Sequence, residues 1–172
     1  MKTTVLLPGT YDPVTRGHFA VIETAAALFD EVRAVIFVNP DKTMLFPLSD
    51  RLEFLRLATK DLPNVTVDSS EGLVADYARD NGIAFIVKGV RNERDFAYER
   101  EMAEWNAAHG AKTLFFPSPS EVVGISSTSL RERLEKGLPI DDLAAPGTSD
   151  AILAACRRLS LDKRDRPYYN KL

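Results

Sequence analysis

The stretch PGTYDPVTRGH, residues 8–18, gathers the side chains best suited to chemistry: Thr10, Thr15, two glycines and one of the chain's two histidines. It is not a dinucleotide fingerprint, because Gly9 and Gly17 stand eight apart, and no Gly-Lys-Ser/Thr follows to make a P-loop. Gly17 lets a phosphate approach the backbone, and His18 falls in the first turn of the helix that follows. There the unpaired N–H groups and the helix dipole favour anions, and an imidazole can donate to a phosphate oxygen. Capping or packing is the competing role for His18. With Thr10, Thr15 and Gly17 beside it, phosphate binding is the stronger reading.

Three further stretches carry charge or hydroxyls at comparable places. In KGVRNERDFAYEREMAEWN, residues 88–106, Lys88 and Arg91 bracket Gly89 and Val90. Two cations around a glycine at a strand end suit phosphates, whereas Arg94 and Arg100 read as solvated charge. In GISSTSLRERL, residues 124–134, Ser126, Ser127 and Thr128 meet a helix start. Hydroxyls and free backbone N–H groups converge there, although serine is also the commonest cap. Lys42, in NPDKTMLFPLSDR, follows a strand; by itself it would be a solvated lysine.

These residues need elements to place them. β-Branched and aromatic runs predict strands at 3–8, 32–39, 65–69, 84–90 and 113–117. Periodic segments predict helices at about 17–29, 50–61, 72–81, 93–109, 127–136 and 148–159. Ser49 is a candidate cap for the second helix, and Gly82, Gly110 and Gly137 stand where left-handed helix ends are expected. Strands alternating with helices imply βαβ units, a parallel sheet and helices on both faces. The runs VIFV (35–38) and FIV (85–87) are apolar without alternation, as doubly covered strands should be. In such α/β sheets ligands bind beyond the carboxyl ends of the strands. The loops singled out above all begin there.

The 172 residues fit one domain, 1–160, followed by a polar tail, 161–172; from Arg157 onward six basic residues face two acidic ones. With 45% hydrophobic and 27% charged residues the chain has the composition of an ordinary globular protein. A net charge of −3 provides no global attraction to nucleic acid or anionic lipid. The apolar run at the N-terminus is too short for a signal peptide or membrane span. A lone cysteine, Cys156, excludes an intramolecular disulfide and argues for a reducing compartment, so a cytoplasmic location is expected. No carboxylate cluster suggests a metal held by the protein.

The four stretches together resemble a known family. Thr15-Arg16-Gly17-His18 is similar to the T/H-x-G-H motif of the nucleotidyltransferases, and GISSTSLRERL to their I-S-S-T/S motif. KGVR…DFAYE…N and the Lys42 segment resemble the phosphopantetheine adenylyltransferase family in particular. The resemblance implies a Rossmann-like five-stranded sheet of order 3-2-1-4-5 and a homohexamer. It implies transfer of AMP from Mg²⁺·ATP to 4′-phosphopantetheine, giving dephospho-coenzyme A and pyrophosphate, the penultimate step of coenzyme A synthesis, with coenzyme A as a feedback ligand. His18, Thr10, Lys42 and Arg91 would be the catalytic group. ATP would meet Thr10, Tyr11, His18, Gly89, Val90, Arg91, Glu99, Val122, Val123, Gly124, Ile125, Ser126, Ser127 and Thr128. The acceptor would meet Thr10, Lys42, Val74, Lys88 and Asn106. The chain departs from the pattern with Lys88 where arginine is usual, Tyr11 for phenylalanine, Ala97 for glutamate, and Trp105 beside Asn106. Trp105 either reshapes the acceptor pocket or packs on the inner face of its helix. Two other readings compete. One is a mononucleotide adenylyltransferase of nicotinate or nicotinamide, against which the Lys42 and 88–106 stretches speak. The other is a non-catalytic nucleotide-binding domain.

Overall fold

A computed structural model describes residues 2–161, the side chains of Tyr98, Ser160 and Leu161 excepted. Residues 162–172, nearly all of the polar tail, lie outside it. Along the chain run β1 (Thr4–Gly9), α1 (Arg16–Leu28), β2 (Glu31–Phe37), α2 (Leu48–Thr59), β3 (Val65–Ser70) and α3 (Val74–Asp80). They are followed by β4 (Phe85–Val90), α4 (Glu93–Ala108), β5 (Lys112–Pro117), α5 (Ser127–Glu135) and α6 (Ser149–Leu161). The strands form one parallel sheet in the order β3-β2-β1-β4-β5, as the resemblance implies.

Side-chain alternation divides the sheet into two covered faces. Val5, Leu7, Val32, Ala34, Ile36 and Val87 point into the larger core, with Val21, Ile22 and Ala25 of α1 and Phe54, Leu55 and Ala58 of α2. Leu130 of α5 and Ile152 and Ala155 of α6 complete that face. Leu6, Val35 and Ile86 point the other way, onto Ala78 of α3. On that face Phe96 of α4 meets Phe115 of β5 edge to face, with ring centroids 5.0 Å apart.

Helix boundaries follow local chemistry. Thr15 caps α1, Asn92 caps α4 by accepting from the Asp95 N–H, and Ser126 caps α5. Gly82, Gly110 and Gly137 have positive φ, as expected of left-handed helix ends. Ser49 is not the cap of α2. That helix starts two residues earlier than expected, at Leu48 behind Pro47, whose carbonyl accepts from the Arg51 N–H, so Ser49 sits within the first turn.

The strand order reverses at β1, whose two neighbours are β2 and β4. The chain leaving β1 enters α1 on one face, while the chain leaving β4 enters α4 on the other. The crevice between those exits is the place where an open parallel sheet takes its ligand.

Candidate active site

Tyr11 is the pivot of the loop after β1. Its φ of 46° lies in the left-handed region, which costs a non-glycine residue on the order of 1–2 kcal/mol. The fold holds it there by burying the ring and by a hydrogen bond from its hydroxyl to the Leu7 carbonyl, 3.0 Å. The ring lies over Gly9, where a Cβ would come within 2.8 Å of Tyr11 Cε2. Its edge meets the His18 imidazole at a centroid distance of 5.1 Å. Tyrosine in place of phenylalanine thus has a physical use, and the side chain supports His18.

His18 is oriented by the cap of its own helix. The Thr15 N–H donates to Nδ1 at 3.1 Å, and the Thr15 hydroxyl accepts from the His18 N–H at 3.4 Å. An Nδ1 that accepts a backbone proton leaves the neutral ring's own proton on Nε2. Burial first, and the charge of Arg91 second, push the imidazole down to about 4. Near neutral pH the ring is therefore an uncharged Nε2–H donor. Capping is how the residue is aimed rather than an alternative to a chemical role.

The first and last motifs are stapled together. A Cβ on Gly17 would stand 3.3 Å from the Ile125 carbonyl oxygen and 3.7 Å from that of Val122, so the two loops touch. Ser127 Oγ donates to the Pro13 carbonyl at 2.8 Å, and Arg131 Nη1 donates to the Asp12 carbonyl at 2.6 Å. The hydroxyls are largely engaged: Ser126 Oγ accepts from the Ser129 N–H at 3.0 Å, and Thr128 Oγ1 accepts from Arg131 at 3.2 Å. Backbone N–H groups remain. Those of Gly17, Ser127 and Thr128 have no partner among the described residues and belong to two helix starts held side by side.

The 39–47 segment is bound to the same loop. Asp12, 4% exposed, accepts from the Leu45 N–H at 2.7 Å and the Phe46 N–H at 2.9 Å. Arg51 donates to the carbonyls of Phe46, 3.1 Å, and Thr10, 2.9 Å. Lys42 is exposed at the tip of this segment. Asp12, Arg51 and Arg131 were not foreseen as site residues. A buried carboxylate in a turn and an arginine in an amphipathic helix carry no distinguishing mark in one sequence.

From β4 come the cations. Lys88 points to the face of α3 and α4 and pairs with Glu99, 3.1 Å. Arg91 pairs with Asp95, 2.7 Å at Nε and 3.4 Å at Nη2. Gly89 serves packing: a Cβ there would be 2.7 Å from Val21 Cγ2 of α1. Val90 is half-buried at the end of β4. Val74 opens α3 and packs with Phe37 and Tyr77 on the second core. Asn106 lies 13 residues along α4 from Glu93, about 20 Å at 1.5 Å per residue. It is 3% exposed, and its Oδ1 is buried without a hydrogen-bond partner among the described residues. Trp105 does not face inward. It is 39% exposed and stacks on His109 at 3.9 Å, because its neighbour Asn106 takes the buried side.

A groove of about 670 Å³ lies elsewhere, between α5 and α6, lined by Leu134, Leu138, Ile140 and Leu153. It lacks the convergent donors found at the strand ends. Among the described residues no group of three or more His, Cys, Asp or Glu could hold a metal ion. No described helix is long and apolar enough to cross a membrane.

Comparison with known proteins agrees with this geometry. Residues 6–133 match the cytidylyltransferase-like family. The chain is 44% identical over 144 residues to the phosphopantetheine adenylyltransferase of Symbiobacterium thermophilum, covering 83% of this chain and 89% of that one. It is 40% identical to the Frankia casuarinae enzyme of that name, covering 79% and 87%, and 41% identical to that of Pasteurella multocida, covering 75% and 83%. The solved nicotinic acid mononucleotide adenylyltransferase of Plasmodium falciparum, a complex with NaAD, superposes with a TM-score of 0.66. At 16% identity over 90% of this chain and 96% of that one, it shares the fold. Sequence likeness to the curated enzymes, joined to two helix starts with unpaired amides at the β1/β4 crevice, places this chain in the phosphopantetheine adenylyltransferase family, within the cytidylyltransferase-like nucleotidyltransferases.

Proposed function

We propose that this enzyme transfers AMP from ATP to 4′-phosphopantetheine, yielding dephospho-coenzyme A and pyrophosphate. The relatives' shared name supports the acceptor. The observation that carries the chemistry is the pair of stapled helix starts, with the Gly17, Ser127 and Thr128 amides unpaired beside a neutral His18. Such an array suits a triphosphate.

In the step itself an oxygen of the acceptor phosphate bonds to the α-phosphorus as the bond to the β-phosphate oxygen breaks. Pyrophosphate departs with the electron pair. The attacking oxygen is already anionic, so no general base and no covalent intermediate are required. Catalysis is positioning plus stabilisation of charge. His18 Nε2–H donates to the α-phosphate as its charge builds. Thr10 and Lys42 hold the acceptor phosphate, with Lys88 on the acceptor side. Arg91 and the amides at 126–128 hold the departing phosphates, and the backbone of 89–91 and 122–125 borders the nucleotide. Glu99 releases Lys88 or meets ATP as the ligands enter. An extended acceptor arm running along α4 has amide N–H groups to offer the unpaired Oδ1 of Asn106, with Val74 beside it. The ATP phosphates would hold Mg²⁺, which would neutralise part of their charge. A hexamer in the cytoplasm, with coenzyme A as a feedback ligand of the acceptor pocket, completes the reading.

The test is pyrophosphate release from Mg²⁺·ATP with phosphopantetheine, nicotinamide mononucleotide or nicotinate mononucleotide in parallel. Release with phosphopantetheine alone is expected. Release with a mononucleotide and not with phosphopantetheine overturns the acceptor while sparing AMP transfer.

A further inference from the structure

We propose that Asp12 is a positioning residue for the acceptor, acting through Lys42. Lys42 stands on a segment without regular structure, between β2 and α2. On one side that segment is tied by Asn39, whose side chain accepts from the Asp41 N–H at 2.9 Å and whose carbonyl accepts from the Lys42 N–H at 3.1 Å. On the other side its first fixed points are the Leu45 and Phe46 amides, and Asp12 holds both, one on each carboxylate oxygen. Hydrogen bonds from backbone amides to a carboxylate are shorter and stronger than those between neutral groups. Asp12 also belongs to the loop that carries Thr10 and His18, and its carbonyl is held by Arg131 of α5. Together with Arg51, which bridges the Phe46 and Thr10 carbonyls, Asp12 therefore sets the distance between the lysine and the group that faces the α-phosphate.

The Asp12 side chain holds the Leu45 and Phe46 amides and lies 4.0 Å from Arg131 Nη1, whereas its carbonyl takes the 2.6 Å hydrogen bond from that guanidinium. Asp12→Asn leaves the carbonyl for Arg131 in place but turns one acceptor into an NH₂ facing an N–H. The 39–47 segment loses its carboxylate anchor and keeps the Arg51 bridge between the Phe46 and Thr10 carbonyls, while α5 keeps its hydrogen bond to the Asp12 carbonyl. The prediction rests on the reading of Lys42 as the acceptor-phosphate lysine, and the experiment separates the two.

Initial-rate kinetics are measured for wild type, Asp12→Asn, Lys42→Ala and the double variant. Asp12→Asn should raise KM for phosphopantetheine roughly ten- to a hundredfold, with KM for ATP changing by less than about threefold. The double variant should be no worse than Lys42→Ala, because the two changes remove one function. Losses that multiply, or equal rises in both KM values, overturn the role of Asp12. Wild-type kinetics in Lys42→Ala would instead sink the reading of Lys42, and the proposal with it. Amide exchange supplies a readout independent of activity. Exchange at Leu45 and Phe46 should speed up about tenfold or more in Asp12→Asn while β1 amides are unchanged, and unchanged exchange at those two overturns the proposal. Should Asp12→Asn fail to fold, Asp12→Ser, which keeps one acceptor oxygen, takes its place in the same comparison.

Discussion

His18 divides its work between its two ring nitrogens. Nδ1 accepts from the Thr15 N–H, which fixes the ring plane and tautomer, and Nε2 is left to donate. Removing the side chain deletes one preorganised donor to developing charge, for which a loss of about 10²–10³ in kcat is expected. Steady-state kinetics of His18→Ala would check this; a variant within a few-fold of wild type would remove His18 from that role. Its titration gives a second prediction. The native ring titrates at about 4, against 6.5 for a free imidazole, so between those pH values the unfolded chain binds a proton that the native protein refuses. Stability from this group is complete above 6.5 and falls as the pH drops toward 4. Neutral-range activity should accordingly not track protonation of His18. An NMR titration of the free enzyme should show its midpoint near 4, and a midpoint near 6.5 would contradict the buried, Tyr11-backed environment.

At the scale of elements, the approach of α1 to β4 is set by Gly89. A methyl group there would come 2.7 Å from Val21 Cγ2 and 3.7 Å from its Cβ. Gly89→Ala should cost about 1–3 kcal/mol through overpacking. Because the closest atom is a Val21 methyl, Gly89→Ala/Val21→Ala should recover most of that loss in urea titrations. A double variant as unstable as Gly89→Ala would show that the glycine answers a different constraint. The sequence pattern made the five strands, the six helices and their approximate ends legible, since the runs at 35–38 and 85–87 could only be strands covered on both faces. It also pointed to the loops that gather at the candidate site, since loops after parallel strands have one place to go. It could not reveal the contacts between loops. The Asp12 carboxylate on Leu45 and Phe46, and Arg131 on the Asp12 carbonyl, join residues 33, 34 and 119 positions apart. Such long-range bonds leave no periodicity to read. The inward-packing alternative for Trp105 fails for a related reason: α4 is so rich in charge that its pattern does not say which face is buried.

For the molecule as a whole, the larger core decides what folds with what. It draws residues from β1 through α6, so the last helix is not an appendage to the loops it supports. Ile152 of α6 is fully buried among them, and Arg158 of the same helix reaches Asp50 of α2 at 2.6 Å. Asp50 is nearly buried, and its other carboxylate oxygen has no partner among the described residues, so losing α6 would leave that charge uncompensated. Ile152→Ala removes methyl groups from a site with little room to collapse, and a loss of about 2–5 kcal/mol is expected. Against a typical total of roughly 5–15 kcal/mol this is a large share. The transition should stay single. Trp105, on α4 across the sheet from α6, reports by fluorescence, while far-UV circular dichroism reports on all helices together. At one protein concentration both midpoints in urea should fall by the same amount in Ile152→Ala. If the Trp105 midpoint stayed at its wild-type value while the circular dichroism midpoint moved, α6 would be a separate cooperative unit, and the staples between the first and last motifs would have to hold the site without it.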